Sequence, residues 1–190
     1  VSAKDHKKIG EGETGLNTGG MGVIAPNPLF TDEHFKMFEE EIMEPTKCGL
    51  IKEGLEFAGV IFFGLMITTK GVYLLEYNLR MGDPETQTTL PLLENDLFEV
   101  VNKAIKGEDF DLTFKKQYTC CVVMVSGGYP GNYDKGFEIR GLEKVTCPNF
   151  IAGAKLSGEQ IVTSGGRVIN IVGLGNTLEE ARETAYENIK

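Results

Sequence analysis

The chain has 190 residues, 41% hydrophobic and 25% charged, with a formal net charge of -9 and a mean hydropathy of -0.13. Such a chain has enough apolar residues for a globular core, and its negative balance excludes a general nucleic-acid or anionic-membrane surface, which needs a basic field. No apolar run approaches bilayer length, Val1-Ser2-Ala3-Lys4-Asp5 lacks signal-peptide form, and Cys48, Cys120, Cys121 and Cys147 lack CxxC spacing; the expectation is a cytoplasmic protein with buried thiols, no membrane span, no zinc site and no disulfide frame.

From the N-terminus, Lys4-Asp5-His6-Lys7-Lys8 gathers cationic groups around one carboxylate, a pattern that reads either as a solvated chain end or as a contact for a phosphorylated substrate. Gly10 to Gly15 formally matches G-x-G-x-x-G, but no apolar strand precedes it and two glutamates would repel a pyrophosphate, so no dinucleotide site is expected. Asn17-Thr18-Gly19-Gly20-Met21-Gly22 reads as a loop whose amides approach an anion closely, ended by Pro26 and Pro28. It lacks the Lys-Ser/Thr pair of a Walker A loop. Thr31 is predicted to cap a helix reaching about Met43, with Phe35, Phe38 and Ile42 facing a core, and Pro45 to begin a short second helix ending near Gly54.

Gly59 to Thr68 is an apolar run joined through Thr69-Lys70-Gly71 to a strand beginning at Val72, which predicts a hairpin. Period two turns Glu76, Asn78 and Arg80 to one face and Tyr73, Leu75, Tyr77 and Leu79 to the other, with Leu75 in the core. A carboxylate and an amide oxygen two residues apart are hard donors of the kind Mg²⁺ accepts. Arg80 adds a planar cation suited to phosphate oxygens. Gly82-Asp83-Pro84-Glu85 then forms a rigid turn carrying two more carboxylates. The bland alternative is an antiparallel strand with one polar, solvated face.

Pro91 to Lys106 predicts an amphipathic helix beneath that strand, with Leu93, Leu97, Val101 and Ala104 inward and Gly107 as its stop. Composition changes after Glu108 to Lys116, and a boundary is placed near residue 117. Tyr118 to Ser126, Ala152 to Val162 and Arg167 to Val172 read as strands. Gly173-Leu174-Gly175 reads as a tight turn, and Thr177-Leu178-Glu179-Glu180 as a capping box opening a last helix along Leu178, Ala181, Ala185 and Ile189.

Glu76-x-Asn78-x-Arg80 resembles the metal and phosphate strand of the ATP-grasp enzymes. Arg80-Met81-Gly82-Asp83-Pro84-Glu85-Thr86-Gln87, the Asp5-His6-Lys7 run and Asn17 to Gly22 are similar to the signatures of one family among them, glycinamide ribonucleotide synthetase. Gly127-Gly128-Tyr129-Pro130-Gly131 and Thr163-Ser164-Gly165-Gly166-Arg167 resemble its C-terminal domain. The resemblance implies an α+β fold: residues 1–117 as the later part of an ATP-grasp domain, an antiparallel sheet with helices, and residues 118–190 as a truncated, mainly antiparallel β domain with a terminal helix. It implies a fragment of a ligase that joins 5-phosphoribosylamine to glycine with ATP and Mg²⁺ (or Mn²⁺), through a glycyl phosphate. In that reading Glu76 and Asn78 hold the metal and nucleotide phosphates, and Arg80 is catalytic. Asp5, Lys7, Asn17, Thr18, Gly19, Gly20, Asp83 and Glu85 line the substrates, and the N-terminal and ATP-lid domains are the missing partners. One departure stands out, since many ATP-grasp enzymes carry a first acidic ligand on the partner strand and that place falls near Gly64. Alternatives are another ATP-grasp carboxylate-amine ligase or a non-catalytic Mg²⁺- and phosphate-binding module.

Overall fold

The computed structural model describes all 190 residues. In chain order the strands are β1 (Lys4–Gly10), β2 (Thr14–Ala25), β3 (Phe62–Thr68), β4 (Gly71–Asn78), β5 (Tyr118–Val125), β6 (Asn149–Ile151), β7 (Ala154–Ser157), β8 (Gln160–Thr163) and β9 (Arg167–Gly175). The helices are α1 (Asp32–Phe38), α2 (Glu44–Lys52), α3 (Thr86–Thr89), α4 (Leu97–Lys106) and α5 (Leu178–Glu187). Mixed helices and antiparallel strands give the α+β class that the sequence predicts. Two compact units share the chain: Val1–Pro26, Asp83–Leu93 and Phe114–Lys190 form the first, Asn27–Gly82 and Glu94–Thr113 the second.

The first unit is built on an antiparallel sheet of order β1-β2-β5-β9-β6, with β7 and β8 as a separate hairpin. Strand β9 is buried from Val168 to Gly173 because both faces are covered. Val172 packs with Val23, Cys121 and Val123 in one cluster, while Val168, Ile169 and Ile171 pack with Ile139, Leu142, Val145 and Ile189 in another. Thr177 caps α5 by accepting from the Glu180 amide, and Ala181 and Ala185 are fully buried beneath it. A methyl group on Gly173 would lie 1.9 Å from the Ala181 carbonyl oxygen, so Gly173 and the two alanines let the helix backbone rest directly on the sheet. Gly173 to Gly175 is therefore the end of a strand and not a tight turn.

Two further expectations change in this unit. Asn17 to Gly22 is not a loop: it lies within β2 and pairs with β1 through an irregular register, Lys4 opposite Ile24 but Lys8 opposite Asn17. Backbone hydrogen bonding to β1 holds extended a run whose glycines, on composition alone, favour a turn. The predicted strand from Ala152 to Val162 is instead the hairpin of β7 and β8, reversed through Ser157 to Gln160, with Gly158 at φ 63° supplying the left-handed residue of that turn. Cys120 and Cys121 are buried as expected, whereas Cys48, in the second unit, is exposed on α2.

In the second unit Thr31 caps α1, its hydroxyl accepting from the His34 amide. No break precedes Pro45: a π-helical segment, Glu39 to Met43, joins α1 to α2, with the Glu44 amide bonded to the Glu39 carbonyl. The widened turn just before the proline accommodates the donor it lacks. Ile42 is buried, but Phe35 is exposed: it belongs to an open run of ring contacts from Phe30 through Phe35, Phe38 and Phe63 to Tyr77 and not to a closed core. The predicted helix from Pro91 begins only at Leu97, where the Asp96 carboxylate accepts from the Phe98 and Glu99 amides; Leu93 before it is extended. Gly107 ends α4 in the left-handed conformation, as expected, yet no residue of α4 is buried.

Candidate functional site

Strands β3 and β4 pair from Phe62–Asn78 to Thr68–Gly71, but the register slips once: Gly64 faces Glu76, while Leu65 faces Leu74. Leu75 is thus a bulged residue, and strict alternation fails at the middle of the strand. Leu75 is 62% exposed and not in the core, and Leu74, Tyr77 and Leu79 together line an apolar groove of about 600 Å³ against Ile42, Leu50 and Leu55. The Tyr77 hydroxyl is 2.7 Å from the Thr46 hydroxyl on α2.

Beyond the bulge, the three polar residues stand together. Asn78 Nδ2 donates to Glu76 Oε1 at 3.1 Å, Arg80 Nη2 donates to Asn78 Oδ1 at 3.3 Å, and Arg80 Nη1 donates to the Met81 carbonyl at 2.9 Å. Glu76 and Arg80 are exposed and Asn78 half-buried, so a ligand can reach all three. No three His, Cys, Asp or Glu side chains gather elsewhere to hold a metal ion. A divalent cation on this strand would take a carboxylate oxygen and an amide oxygen, completing its shell with water and phosphate oxygens; this donor set fits Mg²⁺. Arg80 would have to release Asn78 Oδ1 for it.

The other predicted residues lie in the first unit, where β1, β2, β9 and the segment from Asp83 converge. Lys7 Nζ donates to Asp5 Oδ2 at 2.5 Å, and the Asp5 side chain is only 10% exposed. Asp5 Oδ1 is buried without a hydrogen-bond partner. Gly20 makes room for it: at φ 119° it adopts a conformation disfavoured for other residues, and a methyl there would lie 2.8 Å from Asp5 Oδ1 and 2.7 Å from Pro84 Cδ. Thr18 Oγ1 donates to the Lys7 carbonyl at 2.8 Å and accepts from the Gly20 amide at 3.0 Å. Asn17 is exposed opposite Lys8.

Three residues that sequence reasoning did not assign complete this cluster. Arg167 Nη1 donates to the carbonyls of Gly19 at 2.8 Å and Asp83 at 3.0 Å, and its Nη2 to Asp83 Oδ2 at 3.1 Å. Gln87 Nε2 donates to Asp83 Oδ1 at 2.8 Å, and the Gly19 amide donates to the Tyr129 hydroxyl at 3.0 Å. The Gly19 and Gly20 amides expected to face an anion are thus both engaged inside the protein. The signal was present in the Gly-Gly-Tyr-Pro-Gly and Ser-Gly-Gly-Arg runs for Tyr129 and Arg167 and in the run from Arg80 to Gln87 for Gln87, which resemblance marked but residue chemistry alone did not explain. Burial raises the Glu85 carboxyl above its ordinary range; Asp5 and Asp83 push the same way, against its own backbone hydrogen bond and Lys7.

Residues 1–86 match the ATP-grasp (A) domain of phosphoribosylglycinamide synthetase, and residues 119–190 match its C domain. The chain is 50% identical over 197 residues to the phosphoribosylamine–glycine ligase of Fusobacterium nucleatum and 52% identical over 192 residues to that of Clostridium acetobutylicum, in each case covering 100% of this chain and 46% of the relative. The crystal structure of phosphoribosylamine–glycine ligase from Thermotoga maritima matches with a TM-score of 0.90 at 35% identity, over 98% of this chain and 47% of that one. N5-carboxyaminoimidazole ribonucleotide synthetase from the same organism shares the fold alone, with a TM-score of 0.53 at 19% identity over 87% of this chain and 43% of that one. The chain spans about half the length of the curated relatives it matches.

Proposed function

The chain belongs to the phosphoribosylglycinamide synthetase family, and we propose that within a full-length enzyme it supplies the metal strand and sugar-phosphate contacts of an ATP-dependent ligase. That ligase joins 5-phosphoribosylamine to glycine, giving glycinamide ribonucleotide, ADP and phosphate in purine biosynthesis. The observation that carries the reading is the hydrogen-bonded row of Glu76 and Asn78 on β4 and Arg80 just past its end, all accessible, in a chain from this family.

Mg²⁺ or Mn²⁺, when bound, supplies charge neutralisation on the transferring phosphates. Glu76 and Asn78 would hold it, and Arg80 would stabilise charge developing on the phosphoryl and acyl-phosphate oxygens. The glycine carboxylate is already an anion, so its attack on the γ-phosphate needs no general base; the amine of phosphoribosylamine then displaces phosphate from glycyl phosphate.

The anion-holding role assigned to the Gly19 and Gly20 amides passes to Arg167. A guanidinium has five N–H donors, and three of those on Arg167 are taken by Gly19 and Asp83. Nε and the second Nη2 hydrogen remain, a parallel fork matched to a phosphate, with exposed Lys7 as a second cation. Asn17, Thr18, Gly19 and Gly20 border that substrate, while Asp83 and Glu85 stand nearest the amine with Asp5. The remaining length of the enzyme would cover the second unit, whose two-stranded sheet is marginal alone and whose Leu75, Leu79, Phe98 and Ile105 are exposed. The sequence division near residue 117 is kept as the boundary of the C-terminal domain. No helix is long and apolar enough to cross a membrane; the cytoplasmic location is part of the proposal.

Glu76→Gln in the full-length enzyme tests the reading. It should abolish Mg²⁺-dependent turnover while circular dichroism and thermal midpoint stay unchanged; near-normal activity would reject the metal role.

A further inference from the structure

We propose that Gly64 is a positioning residue for the metal strand: having no side chain, it lets Glu76 lie across β3 and carry its carboxylate to Asn78. This rests on the reading of Glu76 and Asn78 as metal ligands. Gly64 pairs directly with Glu76 in the hairpin. A Cβ built on Gly64 would lie 2.9 Å from Glu76 Cγ, 3.5 Å from Glu76 O and 3.7 Å from Glu76 Oε1, so the three nearest atoms all belong to that one residue. The space left by the missing side chain is the space Glu76 uses.

The slip in register follows at once, with Leu65 paired to Leu74. The bulge at Leu75 sets the direction in which Glu76 leaves the strand, and Gly64 clears its path. Cγ is not the free end of the glutamate. A 2.9 Å contact there requires something to shift, and the side chain that gives is Glu76: a change of its rotamer swings the carboxylate away from Asn78 Nδ2, which it now meets at 3.1 Å. Gly64 does not adopt the left-handed backbone conformation, so alanine fits its main chain and tests the steric term alone. Without the contact, Gly→Ala in a strand would stabilise by restricting the unfolded chain; the proposal predicts the opposite sign.

The test compares Gly64→Ala, Glu76→Ala and the double variant in the complete enzyme, using Mn²⁺ with a non-hydrolysable ATP analogue read by electron paramagnetic resonance, together with thermal unfolding. Gly64→Ala should weaken Mn²⁺ binding by about tenfold, the scale for disturbing a group that orients a metal ligand. It should add no further loss in the Glu76→Ala background, and its fall in thermal midpoint should be recovered there. Wild-type Mn²⁺ affinity in Gly64→Ala, beside lost affinity in Glu76→Ala, would overturn the role of Gly64 alone. Unchanged affinity in Glu76→Ala would overturn the metal reading and this proposal with it. Should Gly64→Ala not fold, refolding of the double variant supports the steric argument, and its failure to fold refutes it.

Discussion

Removing Arg167 should loosen a junction made by three separate parts of the chain. Its two bonds to the backbone carbonyls of Gly19 and Asp83, at 2.8 and 3.0 Å, come from a charged donor on a side chain that is 23% exposed. Each contributes about 1 to 1.5 kcal/mol net. The third, to the Asp83 carboxylate, is discounted to about 0.5 kcal/mol because that partner is more than half exposed. Arg167→Ala should therefore cost roughly 3 kcal/mol. Arg167→Lys should recover less than half of that, since one ammonium cannot reach three acceptors held by a planar fork. Urea unfolding followed by circular dichroism measures the loss, and the chain has no tryptophan to complicate a parallel tyrosine signal. Titration with ribose 5-phosphate measures the free Nε and Nη2 edge: binding should fall in Arg167→Ala and survive in Asp83→Asn. A destabilisation under about 0.5 kcal/mol with unchanged ribose 5-phosphate affinity would refute both the junction and the phosphate fork.

Glu85 carries a pH dependence. Its folded carboxyl is raised above the ordinary value of 4.5 mainly by burial, so the folded state binds the extra proton in the window above that value, and stability falls as pH rises through it. Glu85→Gln should accordingly gain on the wild type between pH 4 and pH 7 in urea midpoints; a gap that does not move with pH would remove burial as the cause. Among the thiols, burial pushes Cys121 up to about 12 and raises Cys120 and Cys147, while Cys48 is exposed. Among these four, Ellman's reagent at pH 8 should react fast with Cys48, a phase absent from Cys48→Ser, and fast labelling of Cys121 in the folded protein would contradict its burial. Gly173→Ala would place a methyl 1.9 Å from the Ala181 carbonyl and 2.6 Å from the Ala185 amide, both backbone atoms with little room to yield. A loss of about 3 kcal/mol or more is expected from such overpacking, and a loss below about 1 kcal/mol would show that α5 does not depend on that close approach.

What residues dictate over a few positions is legible in the sequence. The alternation of Glu76 and Asn78 survives because a strand turns residues two apart to one side and both follow the bulge, whereas β4 ends at Asn78 and Arg80, expected on the same strand, joins them from the bend beyond through its hydrogen bond to Asn78. The caps Thr31 and Thr177 and the stop at Gly107 are likewise satisfied within a turn of their own chain. Burial was not legible, because a side chain is covered only by what packs on it: Leu75 and α4 have core-like patterns, yet Leu75 is exposed and no residue of α4 is fully buried. Nor was the role of glycine. Asn17 to Gly22 has the composition of a loop, but β1 holds it extended; Gly64 makes way for a facing glutamate, and Gly173 for a helix. The contact between Gly19 and Arg167 spans 148 residues, beyond the reach of any local period. Sequence alone set which groups could do chemistry and how neighbours alternate, since both follow from covalent order and backbone geometry. Only the tertiary structure decided which amides were already satisfied, which arginine had donors to spare and which glycine was filled by another side chain, because those depend on groups that meet through folding.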